Sequence, residues 1–441
     1  MTEFDLPELL AKLTARHGVP GAQLVLQHHG VRAVAAVGEV ESGTGEPVTA
    51  DSRFPIGSIT KAFTATLAIA LVSEGDIELD VPLGEYLPEL HRASRELATR
   101  ATLRHLLSHT GGVIANRPAS ADHATPRRLA MGCCARGPLF EPGTAFSYSN
   151  IGYVLAGHLI EVITGMSWWS AMESILLRPL GIEPSFVVAP SRVASGPYVS
   201  GHSVTTARSR AVRVDQMISY AEGPTGALAL SAADLARLAR LHLPGGGSAP
   251  LDAAHLAEMR TASPSAEPFG AADGWGLGLA LFRTGGADWW GHEGTADGTS
   301  CHLRFDPAGR HVVALTTNAN TGLALWEDLV AELRMAGLDV GSHAGIPDGS
   351  PIEPPQECLG RYVNGETEYT FVTDQDGGCY LANNGKPFAR LTFYPGLVFA
   401  MADLRTEQVM FTGRFLGEAG TGRIDRIVVG GRLARRQGDG L

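Results

Sequence analysis

Lysine is nearly missing from this 441-residue chain: among its 35 basic residues only Lys12, Lys61 and Lys386 are lysine, and the rest are arginine. Cysteine is scarce too. The five, at positions 133, 134, 301, 358 and 379, are odd in number and two are adjacent, which excludes a disulfide framework and a zinc-ligand spacing. They read as reduced, structural thiols. No run of five or more Lys/Arg occurs, and a net charge of −11 disfavours a nucleic-acid surface. No apolar run approaches the ~20 residues of a membrane-spanning helix, so a soluble protein with no membrane partner is expected. The first thirty residues show an acidic start and an amphipathic helix pattern where an export signal has a basic and then an apolar segment, so the cytoplasm is the expected compartment. Gly-x-Ser-x-Gly is missing as well, which argues against an α/β-hydrolase.

What is present is ordinary globular composition, 44% apolar and 18% charged, enough for one large core or two domains. Up to residue 340, helical patterns at 60–74, 101–108, 150–164, 231–242 and 323–336 alternate with strand-like runs, which predicts an α/β domain. Residues 341–357 are rich in Gly, Pro and Ser and read as a linker. From 358 to 441, short runs such as YTFVT, CYLAN and LVFAM are separated by DGG, NNG and PG turn signals. A small all-β barrel is expected there, because closing the sheet removes its edges.

The lysine at 61 stands in Ser58-Ile59-Thr60-Lys61, at the head of the apolar run AFTATLAIALV. If a helix starts near Ser58, the i, i+3 spacing puts hydroxyl and amine on one face. A serine hydroxyl is a weak nucleophile until a base takes its proton; a buried lysine can become that base, whereas arginine stays protonated. A solvated first-turn lysine is the plain alternative, and companions decide between them. Tyr148-Ser149-Asn150 stands just before an amphipathic helix. His292-Glu293-Gly294 follows the aromatic pair Trp289-Trp290 on a strand-like run, where the glycine permits close backbone approach.

Ser-x-x-Lys, then Tyr-x-Asn, then a basic residue-x-Gly resembles the serine β-lactamase and penicillin-binding protein superfamily, in its class C-like branch. The resemblance extends through FPIGSITKAFTATLAIALVSEGDIELDVPLGEYLP, TLRHLLSHTGGV and TGALALSAADLARLARL. It implies an α/β fold: a β-lactamase-like catalytic domain over 1–340, with an antiparallel sheet flanked by helices plus an all-helical subdomain, and a lipocalin-like β domain over 358–441. It also implies Ser58 as the acylated nucleophile, Lys61 and Tyr148 as the proton network, and Asn150 as the group orienting Lys61 and the substrate amide. The backbone N–H groups of Ser58 and Thr295 would form the oxyanion hole. Glu293, Gly294 and Trp290 would line the substrate site. Which of Lys61 and Tyr148 is the base stays open, since coupled groups titrate together.

One motif departs from the β-lactamase pattern, with His-Glu-Gly standing where Lys-Thr-Gly is usual. His292 weakens the case for a penicillin carboxylate. His-x-Gly is similar to D-aminopeptidases and to penicillin-binding-protein-type thioesterases, the cyclases of non-ribosomal peptides. That resemblance implies a serine acyltransferase of natural-product biosynthesis, passing an acyl group from a peptidyl thioester or ester to an amine. A D-configured donor and an acyl or peptidyl carrier protein partner go with it. The alternatives are a hydrolase (D-aminopeptidase, esterase or weak β-lactamase) and a non-catalytic binding protein. The C-terminal domain is the expected cover, with an arginine of RLARR reaching the cleft: Arg435, or its neighbours Arg432 and Arg436. Arg92/Arg95/Arg100/Arg104 and Arg208/Arg210/Arg213 are candidate carrier-docking clusters. No metal or other cofactor is expected; His105 and His109 are spaced i, i+4, but the stretch reads as a glycine-capped helix.

Overall fold

The computed structural model describes residues 5–28, 30–118, 125–187, 198–205, 210–246, 251–342, 349–373, 378–404, 409–417 and 422–437. Its larger body is built on a seven-stranded antiparallel sheet. The spatial order is Val31–Gly38, Gly21–His28, His311–Thr317, Thr299–Asp306, Asp288–Ala296, Ala280–Arg283 and Gly274–Trp275. The central strand Thr299–Asp306 is buried at every position because helices cover both faces of the sheet.

On one face lie the first helix, Leu6–His17, and the helix Gly322–Met335. The first helix starts where the Asp5 side chain accepts from the Glu8 N–H and stops at Gly18, whose φ of 63° permits the left-handed turn. Its buried Leu6, Leu10 and Leu13 belong to the same cluster as Trp326, Leu329 and Leu333 of the second. On the other face, Thr60–Ser73 is apolar nearly all round and buried from Thr60 through Leu71, as the central helix of a large core must be. It packs against Asn150–Thr164, which the Ser149 hydroxyl caps by accepting from the Gly152 N–H. The short helices between residues 83 and 134 add the helical subdomain.

The C-terminal strands, from Arg361–Asn364 to Arg432–Arg436, form a closed eight-stranded antiparallel barrel. Tyr362, Phe371, Phe393, Phe399 and Phe415 fill its interior with ring contacts, so it is a packed body. It is fixed to the larger body. Phe140, Val428 and Leu433 share one apolar cluster, and Asn364 accepts from the Ala115 N–H at 2.8 Å while donating to the Leu433 carbonyl at 2.7 Å. Ion pairs Arg136–Glu366 and Arg414–Glu267 flank this seam. No single helix among the described residues is long and apolar enough to cross a membrane.

Candidate active site

Ser58 lies in one tight turn, Gly57–Ile59, that runs straight into the helix Thr60–Ser73. Gly57 has a φ of +51°, and a Cβ there would collide with the Thr295 carbonyl. A Cβ on Gly294 would likewise strike the Ile56 carbonyl. The two glycines thus let the strand Asp288–Ala296 close onto the turn that holds Ser58. Residues His292–Ala296 pair with one neighbour, Thr299–Leu303, while the strand Ala280–Arg283 on the other side reaches only Gly291. One edge of this segment, with Thr295 on it, is therefore left facing a cavity.

Lys61 is fully buried, with Nζ 3.0 Å from Ser58 Oγ and donating to the Thr225 carbonyl at 2.9 Å. Burial, and then the positive charge of Arg432, lower its pKa well below the usual lysine value, while Glu222 opposes them. The amine also lies 5.0 Å from the centre of the Tyr148 ring. Burial pushes Tyr148 up to about 12, against a hydrogen bond to Ser58 and the charge of Arg432. His292, 2% exposed, is pushed down to about 3 by burial and by Lys61. Its Nδ1 donates to the Glu293 carbonyl, which leaves Nε2 an acceptor with no partner among the described residues. An amine pushed toward its neutral form, a protonated phenol and a neutral imidazole thus stand in the cleft with one hydroxyl. That set can deprotonate a nucleophile and shuttle its proton.

Two cavities meet at Ser58. The first, about 430 Å³, touches Ser58, Tyr148, Trp275 and His292, and its wall includes Thr412 and Arg432 of the barrel. The second, about 640 Å³, touches Ser58, Thr295, Asn150, Arg117, Met217 and Glu222 and, among the described residues, no barrel residue. Arg432 arrives on the hairpin joining Ile424–Val429 to Arg432–Arg436, whose turn Gly430-Gly431 has φ of 53° and 75°. The Tyr148 N–H donates to the Gly431 carbonyl at 2.9 Å, and the Arg432 guanidinium sits 5.1 Å from the Tyr148 ring centre.

A β-lactamase family model matches residues 6–333. The chain belongs to the β-lactamase family. Penicillin-binding protein 4 of Amycolatopsis lactamdurans is 33% identical over 353 residues, which are 78% of this chain and 91% of that protein. Among solved structures, SurE is 41% identical, with a TM-score of 0.84 over 98% of both chains; its complex with D-Leu aligns at 40% and 0.81 over the same shares. A D-stereospecific amidohydrolase from a Streptomyces species is 29% identical, with a TM-score of 0.60 over 75% of this chain and 99% of that one. The family makes this an enzyme of the serine hydrolase and acyl-transferase type, and half-buried Ser58 and Tyr148 stand with buried Lys61 in its cleft.

Against this frame of the β-lactamase family, several sequence expectations shift. Arg435 is exposed and lies by Ile114 and Val363, away from Ser58; alternation along the hairpin strand gives the cleft to Arg432 instead, and Arg436 bonds the carbonyls of Glu357 and Leu359. Trp290 is buried in the core beside Gly276, and Trp275 lines the first cavity in its place. The Asn150 amide donates to Asn116 at 2.8 Å and faces the second cavity, while Lys61 is held by Thr225 and Ser58. Gly294 makes room for Ile56 as well as for the cavity, and Glu293 pairs with His302 and Arg304 on the neighbouring strand. Arg104 is held by Asp80 and Glu258, and Arg208 lies outside the described residues. His109, expected in a glycine-capped helix, lies beyond the helix end at Leu107 and backs the site: its φ is 58°, its Nδ1 accepts from the Ser149 N–H at 3.1 Å, and its ring lies 4.2 Å from that of Tyr148. His105 caps its own helix through the Thr102 N–H.

Proposed function

We propose that this protein is a serine acyltransferase that forms an acyl-enzyme at Ser58 and delivers the acyl group to an amine. Neutral Lys61 takes the proton as Ser58 Oγ attacks the donor carbonyl. Tyr148, still protonated, gives a proton to the departing group and is resupplied by Lys61. The oxyanion rests on the N–H groups of Ser58 and Thr295. In the second half-reaction the amine attacks the ester carbonyl, its proton passes back through the same pair, and Ser58 Oγ leaves as a hydroxyl. Leaving group and incoming amine must therefore share the cavity that holds Tyr148 and His292. The acyl chain takes the other, beside Asn150.

The observation carrying this reading is that the barrel walls the first cavity and not the second. A hydrolase needs no wall around its acceptor, since water is small and everywhere; an enzyme favouring an amine must exclude water from that side and hold the amine. Arg432 lines this cavity, its Nε without a hydrogen-bond partner among the described residues, and in this reading it orients the acceptor. The likeness to SurE covers 98% of both chains, so it takes in the barrel as well as the catalytic body. A D-configured acyl residue fits, given the D-Leu complex of SurE and the D-stereospecific amidohydrolase. A peptidyl thioester, presented free or on a carrier protein, is the donor class with the leaving group this site handles most readily.

The test is intact mass and product analysis of wild type and Ser58→Ala on a peptidyl thioester ending in a D-residue and carrying a free N-terminus. A Ser58-dependent adduct released as macrocycle or amine-trapped amide is expected. An adduct released only as free acid would make the enzyme a hydrolase.

A further inference from the structure

The first cavity does not end at Ser58. Beyond His292 it continues over the open strand edge to Glu293, Leu323, Glu327 and Ser342, between the sheet and the helix Gly322–Met335. Its flanks here are apolar, with Ala280, Phe282 and Leu323. Its far end is acidic. Glu293 is already matched: it pairs with Arg304, which is fully buried and stacked 3.5 Å from the Phe282 ring centre, and with His302. Glu327 has no ion-pair partner among the described residues; the groups that bear on it are Glu293, Arg304, Arg334 and the Ser342 hydroxyl. Burial, with the Glu293 charge beside it, raises Glu327 to about 7, so an arriving cation would ionise it fully.

Polar atoms along the same cavity also want partners. His292 Nε2 and Trp275 Nε1, on side chains 2% and 3% exposed, are both buried with no hydrogen-bond partner among the described residues. The arrangement has a direction. Donors and the reacting hydroxyl stand at one end, an apolar passage follows, and an unmatched carboxylate closes the other.

We propose that the acyl acceptor carries, besides the reacting nitrogen, a second and positively charged group, an ammonium or guanidinium at the end of an apolar stem, which Glu327 binds. This rests on the first cavity being the acceptor side. Glu327 is a specificity residue in this scheme: it selects a basic acceptor, such as a diamine or a peptide whose N-terminal residue has a cationic side chain.

The experiment is a competition for the acyl-enzyme between 1,5-diaminopentane and hexylamine, which match in length and differ in the distal charge. Amide products are counted by mass spectrometry in wild type, Glu327→Gln and Glu327→Asp. Wild type should prefer the diamine about tenfold beyond the statistical factor of about two, the scale of one charge-assisted hydrogen bond. Glu327→Gln should lose that preference, and Glu327→Asp should keep part of it, which separates charge from folding. A wild-type ratio near the statistical value, or one unchanged in Glu327→Gln, overturns the proposal. Should only free acid form, acyl transfer to amines fails as the activity, yet the subsite is still judged by inhibition of acyl-enzyme release. Inhibition by the diamine and not by hexylamine supports it, and equal or no inhibition by the two overturns it.

Discussion

The two cavities that share Ser58 differ in what closes them. One is bounded by the C-terminal barrel, is lined by Tyr148 and His292, and runs on to an acidic end. The other is bounded only by the catalytic body, with Asn150 and the Arg117–Glu222 pair on its wall. The β-lactamase-type machinery, Ser58 with Lys61, is common to both. On the proposed reading the added domain shapes the acceptor side, and through Arg432, whose charge bears on Lys61 and Tyr148, it reaches the proton network as well.

Substitutions in the shared machinery should erase the comparison altogether. Lys61→Arg puts a permanent cation where an amine could give up its proton, and should slow Ser58 acylation by about 10²–10⁴, read from the rate of adduct formation. In wild type that rate should climb with pH through the lowered pKa of Lys61 and then level off; a flat profile would remove Lys61 as base. Gly294→Ala drives a Cβ into the Ile56 carbonyl and shifts Thr295 from Ser58, which should cost about 10²–10³ in kcat with circular dichroism unchanged.

Other changes should sharpen the difference between the arms or test the frame. His109, His242 and His292 are buried and held neutral, with His242 and His292 at about 3. Unfolded histidines take up a proton near 6.5, so acid favours the unfolded chain. Stability conferred by keeping them neutral is present above about pH 6.5 and lost as pH falls toward 3, several kcal/mol in total. Urea midpoints between pH 7 and 4 should fall accordingly, less steeply in His242→Phe. Smallest should be Asn364→Ala, which strands the Ala115 N–H and the Leu433 carbonyl at the barrel seam, about 1–3 kcal/mol by chemical denaturation.

Much of this site could be read from the chain because local patterns encode it. Ser58 and Lys61 lie one helical turn apart, and Tyr148 and His292 each stand at the edge of a recognisable element. The barrel was visible in short strands and turn signals. Groups delivered by long-range packing were not. Arg432 and Arg435 share one short run, and only the hairpin register, set by the Gly430-Gly431 turn, decides which enters the cleft. Trp290 lies on the same strand as His292, but its neighbours Leu281 and Phe305 enclose it. Glu327 belongs to an ordinary amphipathic helix, and the Thr225 carbonyl that holds Lys61 is backbone, which no residue type announces.

Removing the barrel whole would expose Phe140 and Phe269 and confound any readout, so the decisive comparison is between two arginines. From one common acyl-enzyme, the amide-to-acid partition is measured at fixed amine in wild type, Arg432→Ala on the barrel side and Arg117→Ala on the other. The two-arm arrangement predicts that Arg432→Ala lowers the amide share about tenfold, while Arg117→Ala raises KM for the acyl donor and leaves the partition where it was. A partition that falls equally in both, or only in Arg117→Ala, would contradict it.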